Sequence, residues 1–266
     1  MRMMEIILPI IVLSSLGILF GLGLAFASKK FCVAEDPRLT GIIKCLPGAN
    51  CGACGKPGCI GFAESLIQGE ASVNSCVATE DEERREISKI LGVALKEKIK
   101  TAAVLHCGGG RKVKGRFIYD GIKTCAASNL IMGGHKACLY GCLGFGDCSR
   151  VCPFGAITMG EEELPVVDEN KCTACGKCVA ICPKNLFSLI AADKPYYTNC
   201  SSLDLGKKVM SVCKVGCIAC RKCANSCPHK AIEIKNNLAV FDYSKCKNAG
   251  VCFTVCPTKA IAKREK

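Results

Sequence analysis

Apolar positions along this chain follow three patterns. The first is continuous: from Ile6 to Ser28 no residue is charged. As a helix at ~1.5 Å per residue this stretch reaches about 34 Å, against a bilayer hydrocarbon core of about 30 Å. Pro9 falls in the first turns, where a missing N–H is tolerated. Gly17, Gly21 and Ala25 recur every fourth residue. Such a stripe lets a second membrane helix approach closely, and it also fits ordinary membrane-helix composition. Ala25-Phe26-Ala27 has the look of a signal-peptidase site. Against that, the apolar run exceeds the usual ~7–15 residues of a signal peptide, and its head carries only Arg2 beside Glu5. An uncleaved single-pass anchor is therefore expected in the cell membrane. Lys29, Lys30, Arg38 and Lys44 follow at once and place the soluble part on the cytoplasmic side.

The second pattern is helical. Ile60 to Gln68 reads as a short amphipathic helix stopped by Gly69. Thr79-Glu-Asp-Glu82 is a capping-box pattern, and acids at 80–83 followed by Lys96, Lys98 and Lys100 complement a helix dipole. A solvated linking helix over residues 80 to about 98 is expected. The third pattern is short and strand-like. Ile232–Lys235 and Leu238–Phe241 flank Asn236-Asn237, a pair suited to a tight hairpin turn.

Composition alters this picture more than it would for most chains. There are 25 cysteines, no Trp, and aromatic residues make up 6% of 266 residues. A conventional core cannot run the whole length. An odd cysteine count with C-x-x-C spacing argues against a disulfide framework and for metal clusters in a reducing cytosol. The formal charge of +13 is offset by clusters: a cubane with four thiolates adds roughly −2. No basic patch is interleaved with aromatics, so nucleic acid is not an expected partner.

The central motif is Cys172-Thr-Ala-Cys175-Gly-Lys-Cys178-Val-Ala-Ile-Cys182-Pro183. In C-x2-C-x2-C-x3-C-P runs three thiolates hold one cluster and the fourth reaches a second. Structural zinc also uses C-x2-C pairs, but rarely four staggered cysteines followed by proline. Nearer the N-terminus, Cys51, Cys54 and Cys59 with Cys76 suffice for one cubane. Cys32 and Cys45 lie outside that spacing and read as free thiols.

From Cys125 onward the chain repeats with a shift of 74 to 75. Cys125, Cys138, Cys142, Cys148 and Cys152 map to Cys200, Cys213, Cys217, Cys223 and Cys227. Cys172, Cys178 and Cys182 map to Cys246, Cys252 and Cys256. Each repeat reads as a two-cluster ferredoxin. Crossed ligation gives Cys142, Cys148 and Cys182 with Cys138 as candidate fourth ligand, then Cys172, Cys175 and Cys178 with Cys152. In the second repeat it gives Cys217, Cys220 and Cys223 with Cys256, then Cys246 and Cys252 with Cys227. Two positions break the pattern: Phe145 stands opposite Cys220, and Ala249 opposite Cys175. The Ala249 site allows a three-iron cluster, a non-cysteine ligand, or no cluster. Cys107, Cys125, Cys200 and Cys213 remain over. Four spare thiols could hold a further cluster or a zinc, but the simpler expectation is that they are small buried apolar residues. His106 and His135 read as structural, and Cys107-Gly-Gly-Gly110 is too short for a phosphate loop.

The expected fold is thus α+β: an anchor at 1–30, a four-cysteine iron–sulfur module at 31–78, a helix and connector at 79–124, and ferredoxin-like modules at 125–190 and 191–266. The count is about five [4Fe-4S] clusters, with no acid–base catalytic residue. A polyferredoxin-like adaptor of another membrane oxidoreductase, such as a hydrogenase, and a zinc-stabilised membrane scaffold are the alternatives.

The anchor, the Gly-Ala-Asn-Cys51-Gly-Ala-Cys54-Gly module, the Tyr140-Gly-Cys142-Leu-Gly-Phe-Gly-Asp-Cys148 stretch and the paired ferredoxin runs together resemble the B subunits of Rnf complexes. The resemblance implies a subunit of a ferredoxin:NAD oxidoreductase that couples electron flow to sodium or proton transport. It implies soluble ferredoxin as donor, and as partners integral membrane subunits and others carrying flavin and NAD sites. Lys222, Lys230, Lys235, Lys245 and Lys247 offer a basic face for an acidic donor, or simply a solvated one.

Overall fold

The computed structural model describes residues 2–30, 36–95 and 99–264. Cys32, Lys96 and Lys98 lie outside them. Helix α1 (Arg2–Lys30) carries the continuous apolar run. Its segment Ile11–Lys30 has a mean hydropathy of 2.1 and none of it is buried. Leu13 and Leu24 stand about 70% exposed. The helix is long and apolar enough to cross a membrane.

A small helical module follows. Helix α2 (Pro37–Cys45) starts on Asp36, whose carboxylate accepts from the Arg38 N–H, with proline in the first turn. Helix α3 is Cys59–Ile67. Helix α4 is Asp81–Leu91, capped by the reciprocal Glu80–Glu83 box. The linking helix is shorter than the charge pattern suggested. Gly92 adopts a left-handed conformation (φ 68°) and closes it after Leu91. The cap is Glu80 rather than Thr79. Ile42, Phe62 and Ile87, each 0–1% exposed, meet between these three helices, so α4 is a wall of this module and not a free connector.

Two successive units with one element order make up the rest. The first runs β1 (Thr101–Leu105), α5 (Cys125–Leu130), α6 (Asp147–Val151), β2 (Ile157–Met159), β3 (Pro165–Val167), α7 (Lys177–Ile181) and β4 (Phe187–Ala191). The second runs β5 (Tyr196–Thr198), α8 (Gly206–Val212), α9 (Lys222–Asn225), β6 (Ile232–Lys235), β7 (Leu238–Phe241), α10 (Val251–Thr254) and β8 (Ile261–Lys263). In each unit the outer strands pair antiparallel, Thr101↔Ala191 and Tyr196↔Lys263 at one end of each ladder, and the inner strands form a hairpin. The β6–β7 turn has both central residues left-handed, Asn236 at 47° and Asn237 at 63°, as a two-residue hairpin of this hand requires.

Strand β1 comes from the stretch expected to be connector. Its pairing with β4 makes residues 101–105 the outer strand of the first unit. Arg264 fastens the two units together. Its backbone continues the β5–β8 sheet through Pro195, while its buried guanidinium crosses to the first unit. There it donates to the carbonyls of Ala102, Ile190 and Ala191 and faces Glu169 at 3.2 Å.

Candidate metal centres

The loops that carry the cysteines share one backbone shape. In each ferredoxin-like loop the second and fourth residues after the first cysteine are left-handed: Gly144 and Gly146, Ala174 and Gly176, Ala219 and Arg221, Asn248 and Gly250. The third residue after each Cys-Pro cysteine is left-handed too: Gly155, Asn185, Lys230 and Lys259. Non-glycine residues there cost of order 1–2 kcal/mol each, so the shape is imposed by what the loop must surround. The loops containing Phe145 and Ala249 keep it although each lacks a cysteine.

Folding brings the cysteines into rings. Cys152 joins Cys172, Cys175 and Cys178 around one cavity. Cys217, Cys220, Cys223 and Cys256 surround another. Cys227, Cys246 and Cys252 surround a third, with Ala249 in the fourth corner and His229 on the wall. In every case the cysteine before proline crosses to the other loop. The cysteine rings enclose 320–380 Å³ of space between atoms, part of it open to solvent. Among the described residues, no three His, Cys, Asp or Glu side chains stand close enough for a single metal ion, and no described cysteine is in a disulfide. Such spacing fits a polynuclear cluster better than zinc, whose four ligands must all lie ~2.0–2.3 Å from one ion.

Backbone donors point at the sulfurs. The N–H groups of Leu186, Ala231 and Ala260 donate to Cys182, Cys227 and Cys256 Sγ at 3.2–3.4 Å. Hydrogen bonds of this kind stabilise thiolate and tune a cluster's potential. Burial acts in the opposite sense on the metal-free thiols. It pushes Cys142 and Cys148 up to about 12, and Cys178, Cys223 and Cys252 up to about 11. A cluster's positive iron ions are what would hold these groups as thiolates. The donor set, the cavity and the N–H groups therefore fit iron–sulfur clusters.

The four-cysteine module is built differently. Asn50, left-handed at 45°, accepts the Cys59 N–H on its Oδ1 at 2.8 Å. A Cβ at residue 58 would lie 2.9 Å from that oxygen, so the position requires Gly58. Cys54, Cys59 and buried Cys76 pack on the helical core, and Cys51 sits in the loop at half burial. Cys45 lies outside this loop, its thiol against Glu86 Oε2 at 3.4 Å.

Residues 46–78 match the family described as a putative Fe-S cluster, and residues 137–186 and 216–260 each match the 4Fe-4S dicluster domain. Over 97% of its length the chain is 40% identical to the B subunit of a Na(+)-translocating ferredoxin:NAD(+) oxidoreductase complex from Acetobacterium woodii, covering 78% of that protein. It is 39% identical to the B subunit of an ion-translocating oxidoreductase complex from Methanosarcina acetivorans, covering 96% of the chain and 97% of the relative. The B subunit of a proton-translocating ferredoxin:NAD(+) oxidoreductase complex from Clostridium ljungdahlii is 39% identical over 97% of the chain and 93% of its own length. The chain belongs to the B-subunit family of Rnf-type ion-translocating oxidoreductase complexes. As a member of that family it is an iron–sulfur electron-transfer subunit of a larger, membrane-associated assembly.

One ring of this Rnf-type chain differs from the spacing-based expectation. The sequence offers Cys138 as substitute for the ligand missing at Phe145. The structure brings Cys125 to the cavity of Cys142, Cys148 and Cys182 instead, and Cys138 faces a different one. Buried Asp147 explains the placement. Beside Cys148 on α6, its carboxylate accepts the Ala126 N–H at 3.1 Å and draws the start of α5 onto the ring. Cys125 is thus not the counterpart of Cys200. The signal that could have found it is Thr124, a helix-capping residue directly before the cysteine. His106 is structural: its ring nitrogens bond Thr198 O and Ser188 Oγ, both at 2.6 Å.

Proposed function

We propose that this chain relays electrons one at a time from soluble ferredoxin toward the membrane partners of an Rnf-type complex, in ferredoxin:NAD oxidoreduction coupled to sodium or proton translocation. The observation that carries this reading is the row of cysteine rings built by crossed ligation on a chain that also bears a membrane-length helix. The relatives' names supply the reaction. Flavin- and NAD-binding subunits and integral membrane subunits are the expected neighbours. The anchor is single-pass with the body on the cytoplasmic side, in keeping with Lys29 and Lys30 in the last turn of α1.

Bound [4Fe-4S] clusters would supply one-electron steps without acid–base chemistry. The ligand sets proposed are Cys51, Cys54, Cys59 and Cys76; Cys125, Cys142, Cys148 and Cys182; Cys152, Cys172, Cys175 and Cys178; Cys217, Cys220, Cys223 and Cys256; and the three-cysteine set Cys227, Cys246 and Cys252. The chain's own part is to hold these thiolates, aim N–H groups at them and keep water off. Among the described cysteines Cys220 alone is exposed, and exposed Arg221 and Lys222 follow it. That edge is the proposed entry for an acidic donor. Lys235 and Lys245 are partly neutralised by Glu233 and Asp242, so the steering charge rests on Lys222, Lys230 and Lys247.

The test is anaerobic mixing of the detergent-purified full chain with chemically reduced ferredoxin. Bleaching of the visible cluster absorbance, weakened by Lys222→Glu and by added salt, is expected. A brown chain that ferredoxin cannot reduce, or a colourless zinc-loaded one, would overturn the reading.

A further inference from the structure

Three of the four leftover cysteines meet Cys138 in a cavity that neither dicluster match accounts for. Cys107, Cys138, Cys200 and Cys213, all buried, line it together. Only Cys138 falls inside a matched segment. The cavity encloses about 380 Å³ between atoms, the size of the other rings.

The four residues come in two equivalent pairs. Cys107 and Cys200 each stand two residues beyond the first strand of their unit, after β1 and after β5. Cys138 and Cys213 each open a C-x-x-G-C run, Cys138-Leu-Tyr-Gly-Cys142 and Cys213-Lys-Val-Gly-Cys217. Their hydrogen bonds repeat as well. The Cys142 N–H donates to Cys107 Sγ at 3.3 Å, and the Cys217 backbone makes the equivalent contact with Cys200. Tyr140 and Val215, each two residues on, make backbone contacts to Cys138 and Cys213. The Ser202 N–H adds a donor to Cys200 Sγ at 3.4 Å.

The site is therefore a pseudo-twofold pocket on the seam between the units. The seam is held by Gly108 N–H to Asn199 O at 3.0 Å and Ser201 Oγ to His106 O at 3.0 Å. Glycines keep the sulfurs uncovered. A Cβ at Gly109 would lie 2.5 Å from Val113 and 3.4 Å from Cys213 Sγ, and one at Gly216 would lie 2.3 Å from Val209.

We infer that Cys107, Cys138, Cys200 and Cys213 bind a further [4Fe-4S] cluster that joins the two ferredoxin-like units. Four thiolates with backbone donors in an apolar pocket suit a cubane. The sulfurs are not drawn together tightly enough for one zinc ion. The site adjoins both neighbouring rings, through the Cys142 N–H on one side and Cys217 on the other. A cluster bound there would supply a one-electron site between the units, and the chain's part is to hold its four thiolates on the seam beside the Cys142 and Cys217 rings. The inference deepens the relay reading, since it supplies the link between the units.

The experiment is iron, sulfide and zinc analysis of the anaerobically purified full chain, beside Cys107→Ser/Cys200→Ser. With this site loaded the wild type should hold about 23–24 iron atoms, against about 19–20 without it. The double variant should lose about four iron and four sulfide while the remaining clusters keep their EPR signals, and electrons given to the second unit should no longer reach the first. Loss of a single zinc in place of iron, or an unchanged iron count, would overturn the inference. If the variant sheds more than four iron through misfolding, the wild-type count decides: about 19–20 refutes the site and about 23–24 supports it. Failure of ferredoxin to reduce a chain with about 23–24 iron atoms would instead count against the relay.

Discussion

Replacing Arg264 by methionine should loosen the second ferredoxin-like unit from the first. The side chain is only 4% exposed and its partner Glu169 is 26% exposed, so solvent screens the pair little. The guanidinium also donates to three carbonyls at 3.1–3.4 Å. Breaking a buried ion pair from one side costs about 3–5 kcal/mol. Two features place the expected loss at the low end. Ala102 and Ile190 are already paired in the β1–β4 ladder, so their carbonyls are not orphaned. Methionine also recovers part of the stem's packing. About 3 kcal/mol is a factor of roughly 100 in the opening equilibrium. The assay is the rate of proteolysis at residues 192–195, which join the units, under conditions where opening precedes cleavage. The clusters should stay intact by visible absorbance. A rise of less than threefold, with the clusters retained, would refute Arg264 as the fastening.

Three further outcomes are expected. Cys125→Ser should turn one four-iron cluster into a three-iron one with its own EPR signal, whereas Cys138→Ser should leave that cluster untouched; the opposite result would restore Cys138 to the ring. Ala249→Cys should add one iron to the Cys227, Cys246 and Cys252 site, because the surrounding loop already has the backbone of its complete counterparts; an unchanged iron count and EPR spectrum would show that the corner is closed. Burial holds metal-free Cys142 and Cys148 protonated up to about 12, and cluster uptake needs thiolates, so protons must leave. Reconstitution of the apo-chain should therefore be more complete at about pH 9 than at about pH 7, and a pH-independent yield of cluster absorbance would contradict this.

Features that depend on local spacing were legible from the order of residues. A run without charge from Ile6 to Ser28 has few stable states other than a membrane-length helix. C-x2-C-x2-C-x3-C-P loops set which thiols are near neighbours, and Asn236-Asn237 set the hairpin. Crossing by the cysteine before proline could be read because it repeats in every run. Which residues from distant segments complete a ring was left to packing. Cys125 reaches its cavity because Asp147, 22 residues later, pulls α5 inward. Cys107 and Cys200 meet because two outer strands end side by side at the seam between the units. Neither approach leaves a mark on sequence spacing, since the chain between the partners loops out and its length is free. A repeat alignment read along the chain paired Cys125 with Cys200, whereas packing pairs Cys107 with Cys200. The anchor and the cluster loops are properties of short segments, but the fourth ligand and the seam site are properties of how those segments pack.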